Sequence, residues 1–80
     1  MHETHIIQPI IKGIEEHAQE ENAKKVSKVH IKVGALTGIK SESFKETFAV
    51  LAKGTLLEGA DLELTIFPGT IVQVISFDVE

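Results

Sequence analysis

Residues 26–35 read Val-Ser-Lys-Val-His-Ile-Lys-Val-Gly-Ala, and apolar and polar side chains alternate along most of this stretch. The apolar side chains face one side of the stretch: Val29, Ile31 and Val33. The polar side chains face the other side: Lys28, His30 and Lys32. A period of two is typical of a strand with one face buried and one face in water. The stretch therefore predicts a half-buried β-strand, which other parts of the chain have to cover on its apolar face.

An amphipathic helix is predicted before this strand, over residues 4–21. Its apolar residues recur at helical spacing: Ile7, Ile10, Ile11, Ile14 and Ala18. Pro9 lacks a backbone N–H and is well accommodated only in the first turn of a helix. We therefore expect regular helix to begin near Gln8, with residues 1–7 forming a looser arm or a kinked first turn. Asn22 is suited to the left-handed conformation that ends a helix.

A turn and a second helix are predicted after the strand. Gly34 and Gly38 bracket the turn. Ser41 or Ser43 can cap the helix, and Ser43 with Glu46 has the spacing of a capping box. The helix is expected to bury one apolar stripe, formed by Phe44, Phe48 and Leu51.

Two more strands complete the predicted fold. The second strand has a core face formed by Leu62, Leu64 and Ile66. Pro68-Gly69 predicts a turn, and residues 71–79 predict a third strand, its antiparallel hairpin partner. The inward-facing residues of this strand change phase near Ser76, which indicates a β-bulge. The order α-β-α-β-β predicts an α+β fold, a three-stranded mixed sheet with two helices packed on one face.

Phe67, Ile71 and Ile75 point away from the helices in this register. Three large apolar side chains on an open sheet face indicate a dimer or partner surface, unless the register is misassigned. The Pro-Gly pair suits a type II turn, whose twist fits hairpin strands poorly. Because a strained short hinge favours strand exchange between protomers, we predict a homodimer that swaps residues 70–80 or stacks this face.

Length, charge and composition exclude several classes of function. The 80 residues predict one domain, residues 1–80. The chain has no cysteine, which excludes disulfides and thiolate chemistry. Its net charge is −4 and no basic stripe is visible, so no nucleic-acid partner is expected. Without a signal peptide or an apolar run of roughly 20 residues, a cytoplasmic protein with no membrane partner is expected.

Motifs of enzymatic catalysis are not found in the sequence. No serine lies in a nucleophile-elbow context, and neither a Gly-rich phosphate loop nor a His-Glu-x-x-His helix is present. The paired glutamates, Glu15-Glu16 and Glu20-Glu21, are expected to be surface carboxylates. The chain is therefore predicted not to be an enzyme.

The opening residues offer nitrogen donors to a metal ion. The α-amine of Met1, the deprotonated amide of His2 and the His2 imidazole Nδ1 can close two fused chelate rings around one ion. Nitrogen donors in a plane favour Ni(II) or Cu(II). The fourth position can be filled by the Glu3 amide, His5, water or a partner's ligand. The other two histidines are expected to be a helix-end residue and a surface residue: His17 and His30.

Met1-His2-Glu3 opens a pattern that continues along the chain. Matching positions follow at residues 8, 10–11, 15–18, 23–26, 34, 36–38, 54–56, 58–60 and 76–80. In these residues the sequence resembles the HypA/HybF family of hydrogenase nickel-incorporation proteins, which begin Met-His-Glu and continue into a helix. The resemblance covers nearly the whole chain, and its most specific internal part is Gly-Thr-Leu with Glu-Gly-Ala at 54–60.

This resemblance implies a nickel metallochaperone. Family members deliver Ni(II) to the large subunit of [NiFe] hydrogenase and, in some organisms, to urease, together with a partner GTPase called HypB. The resemblance implies that His2 and the Met1 amine hold nickel, and that Glu3 supports metal transfer or partner docking. It assigns no role to His5.

The sequence differs from the family pattern at residues 67–70. Family members insert a zinc domain with two pairs of cysteines at this junction, between the second and third strands. We therefore expect a HypA-like nickel-binding domain without the zinc domain and without zinc. The competing hypothesis is a metal-free protein-interaction or assembly domain that keeps the family scaffold. Substitution of His2 distinguishes the two, since only a metal-binding module loses binding.

Overall fold

A computed structural model describes residues 3–80 of the chain. Its regular elements are α1 (Thr4–Glu20), β1 (Val26–Gly34), a 3-10 turn (Ala35–Thr37), α2 (Ser41–Ala52), β2 (Asp61–Phe67) and β3 (Val72–Val79). The predicted order α-β-α-β-β and the α+β class are confirmed. No helix within residues 3–80 is both long enough and apolar enough to cross a bilayer.

The three strands form one mixed sheet in the order β2-β1-β3. β1 is parallel to β2 and antiparallel to β3. The predicted hairpin between β2 and β3 is wrong, because β3 pairs with β1 instead. The core-facing side chains of β1 are fully buried: Val26, Val29, Ile31 and Val33. The most apolar strand thus takes the centre, where both of its edges are paired and its inner face is covered.

The link from β2 to β3 crosses the end of β1. The Gly34 N–H donates to the Ile71 carbonyl at 2.8 Å, and the Leu36 N–H donates to the Gly69 carbonyl at 2.9 Å. Neighbouring strands are about 4.8 Å apart, so the link spans roughly 10 Å between the two outer strands. Residues 68–71 therefore have to run close against the backbone of Gly34.

β3 contains the predicted bulge. His30 pairs with Ser76 while the next residue of β1, Ile31, pairs with Val74. Ile75 is therefore the extra residue, and the half-buried positions of β3 change phase there: Val72 and Val74 before it, Phe77 and Val79 after it. The phase change read from the sequence is confirmed, within one residue of Ser76.

α1 begins earlier than predicted. It starts at Thr4, so the expected loose arm is wrong for residues 4–7. Pro9 lies inside the helix and has no N–H to donate to the carbonyl four residues back. Burial of the apolar stripe offsets this loss: Ile7, Ile11, Ile14 and Ala18 are buried. At the far end Asn22 takes a positive φ of 59°, as predicted.

α2 is not capped as predicted. Its N-cap position is Lys40, and no side chain caps the helix. Neither Ser41 nor Ser43 serves as the cap, and the capping box with Glu46 is wrong. The apolar stripe is confirmed: Phe44 and Phe48 are buried, and Leu51 packs against the core from a half-buried position.

Several apolar side chains stay in contact with solvent. Ile71 and Ile75 are 55% and 49% exposed, as predicted for residues pointing away from the helices. Phe67 is half-buried, and the Lys32 ammonium lies 4.5 Å from the centre of its ring. Ile66 was predicted in the core but is 51% exposed. It pairs with Val33 near the end of an edge strand, where a neighbouring strand flanks it on one side.

Candidate functional site

The described part of the candidate site begins at Glu3, since Met1 and His2 lie outside the described residues. Glu3 is the N-cap residue of α1, which begins at Thr4. Its carbonyl accepts hydrogen bonds from the N–H groups of Ile6 at 2.9 Å and Ile7 at 2.8 Å. The first helical hydrogen bonds are therefore donated by residues further along the chain. Because Glu3 is the N-cap residue of α1, no helix carbonyl precedes it, and its amide is not a donor in the α1 hydrogen-bond ladder.

The side chain of Glu3 is buried against α2. It is 4% exposed and is the only buried polar or charged residue among residues 3–80. Its Oε1 atom accepts hydrogen bonds from the Ser43 hydroxyl at 2.9 Å and the Thr47 hydroxyl at 3.4 Å. Glu3, the residue of the Met-His-Glu motif that the structure describes, is thus hydrogen-bonded to α2.

The environment of the Glu3 carboxylate explains how a charge is accommodated there. Hydrogen bonds to an ionised acceptor are roughly twice as strong as those between neutral groups. The carboxylate also lies at the start of α1 and beside the first turn of α2, where helix N-termini carry partial positive charge. The two hydroxyl donors replace part of the hydration that burial removes.

Ser43 and Thr47 were not predicted as site residues. Ser43 was interpreted as a helix cap, and Thr47 was not singled out. One signal in the sequence could have found them, since they are four residues apart and share a helix face. That face adjoins the buried Phe44 and Phe48, so hydroxyls beside it lie at the edge of the core.

His5 lies on the exposed side of α1. It borders a shallow surface depression with Gln8, Pro9 and Lys12. Across residues 3–80, no group of three or more histidine, aspartate or glutamate side chains is placed to hold a metal ion. The described residues therefore bring no side-chain metal cluster together. The nickel site at Met1, His2, Glu3 and His5 stays a prediction from the sequence.

The two other histidines make structural contacts. His17 lies 3.5 Å from the carboxylate of Glu21 and packs edge-on against the Phe77 ring, with centroids 5.5 Å apart. His30 Nε2 is 2.7 Å from the Thr65 hydroxyl on the outer face of the sheet. Their positions agree with the predicted roles at a helix end and on a strand surface.

Comparison with known proteins gives one family. A sequence profile described as "Hydrogenase/urease nickel incorporation, metallochaperone, hypA" matches residues 1–72. The hydrogenase maturation factor HypA of Caldanaerobacter subterraneus is 42% identical over 66 residues, covering 82% of this chain and 58% of the relative. HypA of Francisella philomiragia is 47% identical over 64 residues, covering 80% and 56%. HypA of Archaeoglobus fulgidus is 39% identical over 66 residues, covering 82% and 60%.

Two solved structures share the fold. The solution structure of the Ni metallochaperone HypA from Helicobacter pylori superposes with a TM-score of 0.81 at 17% identity, covering 99% of this chain and 97% of that chain. A second solution structure, of a HypA protein, gives a TM-score of 0.85 at 16% identity, covering 100% and 97%. At such identities the likeness concerns the fold. The matches to the three curated relatives cover only 56–60% of the relatives' own length.

Proposed function

The chain belongs to the HypA family of nickel-incorporation metallochaperones for hydrogenase and urease, and on this premise we propose that it binds Ni(II) at its N-terminus and delivers it to a maturation partner. The family consists of metallochaperones and maturation factors, not enzymes, which confirms the prediction that this chain is not an enzyme. The proposal rests on two observations. The family profile includes residues 1–3, and the fold holds Glu3 buried against α2.

The proposed nickel donors are nitrogen atoms of the first residues. The Met1 amine, the His2 amide and the His2 imidazole supply three of them, and the Glu3 amide or the His5 imidazole supplies the fourth. The start of α1 supports this set. Because the amide of Glu3, the N-cap residue of α1, does not donate within the helix ladder, its deprotonation breaks no helical hydrogen bond.

Nickel is cargo in this proposal, and its transfer needs no covalent chemistry. A site at the end of the chain lets donors be exchanged one at a time for those of a partner. Donors of this kind bind Cu(II) more tightly than Ni(II), according to the Irving–Williams order. Selectivity for nickel then comes from metal supply and from contacts with the partner.

Maturation partners follow from family membership as a further part of the proposal. We propose a HypB-like GTPase as the working partner and the hydrogenase large subunit, or a urease, as the recipient, in the cytoplasm. Zinc is not required in the proposed mechanism. A link of residues 68–71 joins β2 to β3 at the junction where the sequence predicts the loss of a zinc domain. Residues 1–80 remain predicted as one nickel-binding domain.

A nickel titration of tag-free protein tests the proposed function. The parent chain is expected to bind one Ni(II) with the d–d absorbance of a square-planar site. His2→Ala, or a tag that blocks the Met1 amine, is expected to weaken binding by more than roughly 100-fold, since losing a direct ligand exceeds the loss of a supporting residue. His30→Ala is the matched control, because that imidazole contacts Thr65 on the outer sheet face.

The titration also separates the competing function. Equal binding by the parent chain and His2→Ala would contradict an N-terminal site. Absence of binding in both would favour a metal-free protein-interaction domain on the HypA scaffold. His5→Ala tests the identity of the fourth donor. The substitution is expected to weaken Ni(II) binding only if the imidazole of His5 is a ligand.

A homodimer is a further proposal, through exchange of residues 70–80 or stacking of the surface formed by Phe67, Ile71 and Ile75. Ile71 and Ile75 are about half exposed on that surface. Size-exclusion chromatography with light scattering is expected to show a dimer fraction that rises with protein concentration. Ile75→Thr is expected to abolish a stacked dimer and to leave a swapped dimer intact. A monomer at every concentration would contradict both arrangements.

A further inference from the structure

Ser43 and Thr47 join the two helices at the point where the proposed nickel site begins. We infer that these two hydroxyls are positioning residues, which hold the Glu3 carboxylate and thereby fix the metal-binding terminus against α2. In this arrangement the carboxylate of Glu3 is an anchor and not a nickel ligand. The inference rests on the proposed function for its metal-binding consequence, whereas the anchor itself is tested without metal.

The anchor has a defined geometry. Both hydroxyls donate to the same oxygen, Oε1 of Glu3, at 2.9 Å from Ser43 and 3.4 Å from Thr47. The two donors are one helical turn apart, so they project from the same face of α2. Each is followed by a buried phenylalanine, Phe44 or Phe48, whose packing sets the rotation of α2. The hydroxyl pair is thus held in place by the core.

Burial argues against a carboxylate that moves out to bind cargo. Glu3 is 4% exposed, and no ion pair within residues 3–80 includes it. The two hydroxyls are its hydrogen-bond donors in the described residues. Moving the carboxylate to a metal ion would break both bonds and leave space beside α2. The anchored position is therefore the one that the packing favours.

Anchoring engages Oε1 and the carbonyl oxygen of Glu3 but not its backbone nitrogen. The side chain is bound to α2, and the carbonyl accepts from Ile6 and Ile7 at the start of α1. The backbone nitrogen is the nitrogen donor that Glu3 can supply, and it is bonded directly to residue 2 of the proposed chelate. Fixing Glu3 in this way reduces the conformational freedom that the first residues lose when they close around an ion.

The carboxylate-to-amide substitution separates an anchor from a ligand. Glu3→Gln keeps a carbonyl oxygen that accepts from both hydroxyls, but it removes the negative charge that a carboxylate ligand provides. Glu3→Ala removes both. The double variant Ser43→Ala/Thr47→Val leaves the carboxylate intact and removes its two donors. Ser41→Ala is the matched control, a serine in the first turn of α2 outside the anchor.

Two measurements are made on the full tag-free chain. In Ni(II) titrations, Glu3→Ala and the double variant are expected to lose roughly tenfold in affinity, as when a pre-organising contact is removed, with the d–d spectrum unchanged. Glu3→Gln and Ser41→Ala are expected to stay within about threefold of the parent chain. In amide hydrogen exchange without metal, the amides of Ile6 and Ile7 are expected to lose protection in Glu3→Ala and in the double variant. The amide of Ile14 is expected to keep its protection in both.

The outcomes are distinct. A changed spectrum and equal losses in Glu3→Gln and Glu3→Ala, with no loss in the double variant, would show that the carboxylate is a ligand and overturn the inference. Unchanged exchange at Ile6 and Ile7 would also overturn it. Absence of nickel binding in the parent chain removes the proposed function alone, because the exchange experiment still tests the anchor. If the double variant fails to fold, Ser43→Ala, which removes the shorter bond, takes its place.

Discussion

Gly34→Ala is expected to lower the free energy of unfolding by about 3 kcal/mol, the upper part of the range for overpacking a close contact. A β-carbon on Gly34 would overlap the Gly69 carbonyl oxygen and would lie 2.9 Å from the Thr70 nitrogen. Both are backbone atoms of the link between β2 and β3. A flexible side chain could rotate away, but this link cannot move without breaking its hydrogen bonds to Gly34 at the end of β1 and to Leu36 in the 3-10 turn.

The backbone conformation of Gly34 does not by itself require glycine. Its φ of −70° and ψ of 130° suit any residue, so the expected loss comes from the contact alone. A chain of 80 residues has a total stability of roughly 4–12 kcal/mol, at about 0.05–0.15 kcal/mol per residue. A loss of about 3 kcal/mol is thus a large fraction of the total stability, and it lowers the melting temperature by roughly 12–24 °C.

Thermal and urea unfolding followed by circular dichroism measure this effect. Gly13→Ala is the matched control, because it is the same chemical change at a helical position with nothing within 4 Å of the added carbon. It is expected to raise stability by about 1 kcal/mol, the difference in helix propensity. A Gly34→Ala variant as stable as the parent chain would contradict the close crossing of β1 by the link.

β1 shows which part of the fold can be read from a single sequence. The alternation in residues 26–35 identifies a strand with one buried face, because side-chain orientation depends on local geometry alone. The phase change in β3 was visible for the same reason. The neighbour of β3 is a different question, since a short Pro-Gly link is compatible with a hairpin and also with a crossing over the end of β1. Gly34, which permits that crossing, was interpreted only as part of a turn.

In the candidate site, too, the features that depend on local sequence could be predicted, and the tertiary contacts could not. Met1, His2 and Glu3 could be proposed as nickel donors because a chelate formed by consecutive residues needs no tertiary structure, and this proposal stays a prediction. The partners of Glu3 are 40 and 44 residues away in sequence, and no local pattern reports such a pairing. Ser43 fitted a capping box on spacing, but its hydroxyl hydrogen-bonds instead to the buried carboxylate, a stronger interaction than a neutral cap.

The affinity for Ni(II) is expected to rise steeply with pH, since the metal-bound form holds fewer protons than the free chain. The Met1 amine and the His2 amide both lose a proton on binding. Each released proton changes the affinity by roughly tenfold per pH unit. Two protons give roughly a 100-fold gain per unit, and a third from the Glu3 amide gives roughly 1000-fold.

The slope therefore identifies the fourth donor. Calorimetric titrations between about pH 7 and 7.5, above the ordinary pKa of an imidazole and below that of an α-amine, in buffers of different ionisation enthalpy, measure both the affinity and the protons released. About three protons indicate the Glu3 amide, and about two indicate His5 or water, with His5→Ala separating these last cases. The anchored Glu3 favours three, because its side chain and carbonyl are engaged and its nitrogen remains. A gain near tenfold per pH unit or below would contradict amide coordination, since carboxylate and imidazole donors release few protons in this range.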